Sequence, residues 1–141
     1  MSFERILPCL MAIVSALGAS MGCSRASTDT TYWSEAIVYG TILDGGGAPV
    51  AQATVASKGY RSSCERGTQD ADGSPTIVRS DANGSYRQRL VGGAPVEYCI
   101  VVTVGPPTGS TLLTATATGR VLLTPRASPP YDSVRIDVTL R

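Results

Sequence analysis

The chain of 141 residues carries 12 Lys and Arg against 11 Asp and Glu, a formal net charge of +1, and no histidine. Its charges are scattered singly and not gathered beside stacking aromatics, which argues against a nucleic-acid partner; the missing imidazole excludes Ser-His-Asp and Cys-His nucleophilic sites and histidine-ligated zinc. Val, Ile, Leu and Ala together with abundant Gly, Thr, Ser and Pro favour short strands joined by turns, and the length leaves room for one domain.

Residues 1–22 read as an export segment: Arg5 in a short head, an apolar run from Ile6 to Ala19, then small residues. That run of about 14 residues is short of the roughly 20 a membrane-spanning helix needs. The sequence Ser20-Met21-Gly22-Cys23 resembles the lipobox of bacterial lipoproteins, in which a small residue precedes an acylated Cys. The resemblance implies a lipid such as palmitate on Cys23 and attachment to a membrane of the cell envelope, expected to be the outer membrane facing the periplasm or the surface. Processing by the ordinary signal peptidase, which reads small-x-small patterns, leaves a plainly secreted protein as the alternative. Cysteine parity bears on the choice. Cys9 leaves with the export segment, so Cys23, Cys64 and Cys99 remain. In an oxidising compartment Cys64 and Cys99 can pair, which leaves Cys23 for the lipid. A bridge closing about 36 residues would stabilise the fold by about 4 kcal/mol in the chain-entropy account. No C-x-x-C is present to suggest a redox-active pair.

Residues 23–35 are polar and small and read as a tether. Tyr32 and Trp33 at its end are expected to close one end of a core. Ala36 to Leu43 reads as the first strand, with Val38, Gly40 and Ile42 on one face. After the turn Asp44-Gly45-Gly46-Gly47 a second strand follows at Ala53 to Lys58, Ala53 and Val55 sharing a face, so that the two make a hairpin-like unit. Gly59 to Pro75 reads as a loop tied down through Cys64. A short strand at Thr76 to Ser80, a turn at Asp81 to Gly84 and a strand at Ser85 to Leu90 come next, with Tyr86, Gln88 and Leu90 alternating against Ser85, Arg87 and Arg89. Gly92-Gly93-Ala94-Pro95 is expected to break the chain, and Glu97 to Val104 to form a central strand buried on both sides. Leu112 to Ala117 and Arg120 to Leu123 read as two weaker strands. Ser133 to Arg141 reads as the last, with Val134, Ile136, Val138 and Leu140 inward.

From Ala36 to Arg141 the chain resembles the carboxypeptidase regulatory-like, or transthyretin-like, β-sandwich family. The residues that carry the likeness are Gly40, Ile42, Asp44, Gly47, Pro49, Val50, Ala53 and Val55; then Ser80, Asp81, Gly84 and Tyr86; then Tyr98, Ile100 and Val102. The resemblance implies a seven-stranded Greek-key β-sandwich of the transthyretin (prealbumin) kind over residues 36–141, serving as an accessory or interaction module. The histidines of transthyretin-like hydrolases have no counterpart here.

The expected function is therefore a non-catalytic envelope lipoprotein, not an enzyme and without a cofactor, whose sandwich binds an envelope protein or a glycan. Alternatives are a structural or assembly component of an envelope complex, a small hydrolase, or a calcium-binding protein. For calcium, Asp70-Ala71-Asp72-Gly73 and Asp81-Ala82-Asn83-Gly84 each offer half a loop without the closing acid. Asn83-Gly84-Ser85 matches a glycosylation sequon but reads as a tight turn. Tyr60 and Tyr131, expected in loops, are the hints of where a ligand would sit.

Overall fold

The computed structural model describes residues 32–61, 63–65, 76–125 and 129–141. The export segment, Cys23 and the Asp70–Gly73 half-loop lie outside them. Every regular element described is a strand: β1 (Tyr32–Leu43), β2 (Thr54–Arg61), β3 (Thr76–Arg79), β4 (Ser85–Ala94), β5 (Val96–Gly105), β6 (Ala115–Leu123), β7 (Asp132–Arg135) and β8 (Val138–Thr139). They form two four-stranded sheets. In the first, β1 lies between antiparallel β4 and parallel β7, and β8 continues along β1 past the end of β7. The second is antiparallel throughout, in the order β3-β2-β5-β6. The protein is thus all-β, as its composition leads one to expect.

Period-two alternation places the core between the sheets. Ala36, Val38 and Ile42 of β1 and Tyr86 of β4 are buried against Val55 of β2, Ile100, Val102 and Val104 of β5, and Leu123 of β6; Ile136, Val138 and Leu140 belong to the same cluster. Each buried Val, Ile or Leu of the cluster stabilises the fold by about 1.5–3 kcal/mol. Two glycines make room for Ile136: within the first sheet a Cβ at Gly40 would overlap the Ile136 carbonyl, and across the core one at Gly119 of β6 would lie 2.8 Å from the Ile136 side chain. Buried polar groups have partners, as desolvation demands. Gln88 Nε2 donates to the Val55 carbonyl at 2.9 Å and its Oε1 accepts from Ser57 Oγ, which links the two sheets. Ser80 Oγ donates to the Val50 carbonyl at 2.7 Å and accepts from Ala53 N at 3.0 Å.

Several boundaries differ from the sequence reading. β1 starts at Tyr32 and not at Ala36, because Ser34 faces the core and gives its hydroxyl to the Thr124 carbonyl at 2.7 Å; a small polar residue hides a strand position. β1 and β2 do not form a hairpin. They lie in different sheets, joined at the Leu43–Pro49 bridge, so their apolar faces meet across the core and not side by side. The Gly92–Pro95 stretch does not end a strand: β4 runs to Ala94, Pro95 makes a one-residue corner, and β5 begins at Val96 in the other sheet. β5 is central but its two faces differ, since Val101 and Thr103 are only half-buried outside; Cys99 is buried where Cys64 meets it. The two weak strands after Leu112 are one, β6. The last strand is interrupted at Ile136–Asp137, where the Asp137 carboxylate takes the Thr41 N–H at 2.8 Å in place of a ladder carbonyl.

Candidate functional site

Alternation that sends Ala36 and Val38 inward sends Glu35, Ile37 and Tyr39 outward, and cross-strand pairing sets their neighbours. Ile37 is flanked by Arg89 of β4 and Ser133 of β7, and Tyr39 by Arg87 and Arg135. Directly opposed residues of one face stand about 5 Å apart at Cβ, so each row is one contact surface. Pro129, Pro130 and Tyr131 precede β7 and stand beside these rows. Together with Glu35, Ile37, Tyr39, Arg87, Arg89 and Ser133 they line a groove of about 690 Å³. That is within the roughly 300–1,000 Å³ of small-molecule sites.

The face carries three guanidinium groups in different states. Arg89 is ion-paired with Glu35, and Arg135 Nε lies 3.0 Å from Asp137 Oδ2. Arg87 is exposed and makes no ion pair or side-chain hydrogen bond among the described residues. At Asp137, partial burial works to raise the pKa. Hydrogen bonds from the Thr41 hydroxyl and backbone and from Arg135, with the Arg135 charge, outweigh it and hold the carboxyl below the usual carboxylate range. Beneath the sheet, burial first and the Asp137 charge second push the Tyr86 phenol up to about 12.

Of the residues singled out from sequence, Tyr131 lines this groove. Tyr60 does not: it lies on β2, not in a loop, and borders a hollow of about 320 Å³ on the outer face of the second sheet with Ala56, Lys58, Val101 and Thr103. Trp33 is 54% exposed, so it does not close the core; it extends the outward row of β1 beyond Glu35. Cys64 and Cys99 come together with their Cα atoms 5.3 Å apart, within disulfide range. Asp81 Oδ1 accepts from Asn83 N and Ser85 N, both at 2.8 Å, which is turn chemistry. Glu35, Ile37, Tyr39, Arg87 and Arg89, which also line the groove, do not stand out in the sequence. The signal was present, since inward alternation of Val38 and Tyr86 fixes their outward faces, but nothing local shows that β1, β4 and β7 share a sheet.

No protein family and no curated protein matches the chain. Solved structures do match in fold. Chlorocatechol 1,2-dioxygenase from Pseudomonas putida aligns with a TM-score of 0.50 at 16% identity, over 79% of this chain and 62% of the enzyme. Wild-type catechol 1,2-dioxygenase from Acinetobacter radioresistens aligns with a TM-score of 0.50 at 14% identity, over 83% of this chain and 54% of the enzyme. The chain therefore spans less than two thirds of either. These matches correct the expectation of a non-catalytic interaction module and of a protein that is not an enzyme: the solved structures that share the sandwich are enzymes. At such identities the likeness establishes the fold.

Oxygen chemistry is ordinarily carried by a cofactor, and non-haem oxygenase iron by imidazole and carboxylate ligands. The chain has no histidine, and among the described residues no group of three His, Cys, Asp or Glu is placed to hold a metal. Glu35, the carboxylate of the groove, is already engaged by Arg89. The residues present do not fit such a centre, and no oxygenation step is derived from them.

Proposed function

We propose that this domain binds a small aromatic molecule in the groove on the outer face of the first sheet, with ring compounds of the catechol class as its ligands. The groove itself carries the reading: about 690 Å³ bordered by two tyrosines, two prolines and Ile37, with polar groups at its edge. Aromatic and prolyl walls suit a flat ring, and a few convergent polar groups orient it. The sandwich it is built on is one that catechol and chlorocatechol 1,2-dioxygenases share.

Around this core the proposal keeps an export segment at residues 1–22, a lipid on Cys23, residence in the cell envelope and a Cys64–Cys99 bridge. Cysteine pairing at 5.3 Å supports an oxidising compartment. It also reads β7 and β8, both parallel to β1, as one interrupted strand, which would make seven strands in a transthyretin-like Greek key.

The test is a catechol titration of the full chain followed by the fluorescence of Trp33, the chain's single tryptophan, which lies in the same outward row as the groove. Saturable quenching that weakens at least fivefold in Y131A supports the reading. No saturable change in either protein, confirmed by calorimetry, refutes it.

A further inference from the structure

The groove's charges are not equivalent, and this bears on which rings it takes. In the row across the sheet, Tyr39 is flanked by Arg87 on β4 and Arg135 on β7. Arg135 is held by Asp137, which also accepts from Thr41 N and Oγ at 2.8 Å each. One row away, Arg89 is held by Glu35. Arg87 lines the groove at the cross-strand position of Tyr39, and among the described residues its guanidinium is paired with no carboxylate. A planar fork of N–H donors next to an exposed ring is suited to a carboxylate attached to an aromatic group, because the fork takes two oxygens while the ring packs on a neighbouring face.

We propose that Arg87 makes this groove selective for aromatic carboxylates: the acid group pairs with Arg87 and the ring lies between Tyr39 and the Pro129–Tyr131 wall. This rests on the reading of the groove as an aromatic-ligand site and narrows it from neutral rings to anionic ones. The neighbouring pairs sharpen the choice. Because Glu35 and Asp137 pair with Arg89 and Arg135, a ligand with one negative charge matches Arg87, the one of these three guanidinium groups without a carboxylate among the described residues. Arg87 is exposed, so the preference weakens as salt screens it.

The experiment is isothermal titration calorimetry of the full chain and of R87Q with four probes: benzoate, benzamide, cyclohexanecarboxylate and catechol. Benzamide keeps the ring and removes the charge; cyclohexanecarboxylate keeps the charge and removes the flat ring. The expected result is benzoate binding about tenfold tighter than either, with the margin over benzamide lost in R87Q and reduced by added salt. R87Q alters an outward side chain, and an unchanged melting temperature shows that it is folded. If catechol and benzamide bind the wild-type protein as well as benzoate does, or R87Q keeps the preference, the selectivity proposal is overturned while the aromatic groove stands. If none of the four binds, both fall together.

Discussion

Tyr86 joins the packing of the core to a pH dependence that can be calculated. The side chain is 4% exposed and its hydroxyl donates to the Ile136 carbonyl at 2.6 Å. Removing the hydroxyl in Y86F keeps the ring and leaves that carbonyl without this donor, a loss of about 1–2 kcal/mol. For a domain of this size that lowers the melting temperature by about 4–8 °C. Burial, reinforced by Asp137, pushes the phenol to about 12 from an ordinary value of 10.0. A phenol with a raised folded pKa contributes stability that is complete below the unfolded value and lost as pH rises through the folded one. Between pH 10 and 12 the protein should therefore lose about 2–3 kcal/mol through this group. Urea unfolding at closely spaced pH values, wild type against Y86F, is the assay. The difference between the two should shrink across that window and reverse sign near its top. A Y86F protein that melts within 1 °C of wild type, or whose alkaline loss is as steep, would show that Tyr86 is neither bonded nor desolvated as described.

Other substitutions probe separate parts of the account. G40A places a Cβ against the Ile136 backbone and should destabilise by about 3 kcal/mol by denaturant unfolding, since backbone cannot move aside as a side-chain end can. Q88L removes the amide that links Ser57 to the Val55 carbonyl and should cost about 2 kcal/mol despite adding an apolar group, because both partners are left buried and unpaired; a neutral result in the same assay would mean they find other partners. The Asp137 carboxyl, held low by Thr41 and Arg135, should titrate below 3.8 in a carbon-detected NMR titration. Its contribution to stability, full above the unfolded pKa, disappears as pH falls through the folded value, and D137N abolishes that acid-side loss.

The strands and their inward faces were legible because alternation is local. Val38, Ile42, Val55, Tyr86 and Ile136 can each be assigned from neighbours two residues away. What the sequence could not show is which strand lies beside which. Nothing within β1 states that its partners are β4 and the C-terminal β7, so the hairpin expected between β1 and β2 was a reasonable local inference that sheet exchange overturned. The same blindness applies to the groove. Glu35, Arg87 and Pro129 are far apart in the chain and become neighbours only through pairing in the first sheet. Trp33 misled for a related reason: an aromatic near a strand entry usually packs, but the inward position at this end of β1 is taken by Ser34, which turns the indole outward.

The functional expectation failed on a different ground. Absence of histidine removes particular chemistries, and a family resemblance then supplied an accessory role; neither observation speaks to a groove lined by tyrosine, proline and arginine. A fold shared with dioxygenases at 14–16% identity fixes the frame, and the side chains on it must be read individually.

The most direct measurement is an amide NMR titration of the isotopically labelled full chain with catechol and with benzoate. The account predicts saturable shifts concentrated at Ile37, Tyr39, Arg87, Arg89, Tyr131 and Ser133, with the hollow at Ala56, Tyr60 and Val101 unmoved. Shifts centred on that second-sheet hollow, or none at millimolar ligand, would contradict it.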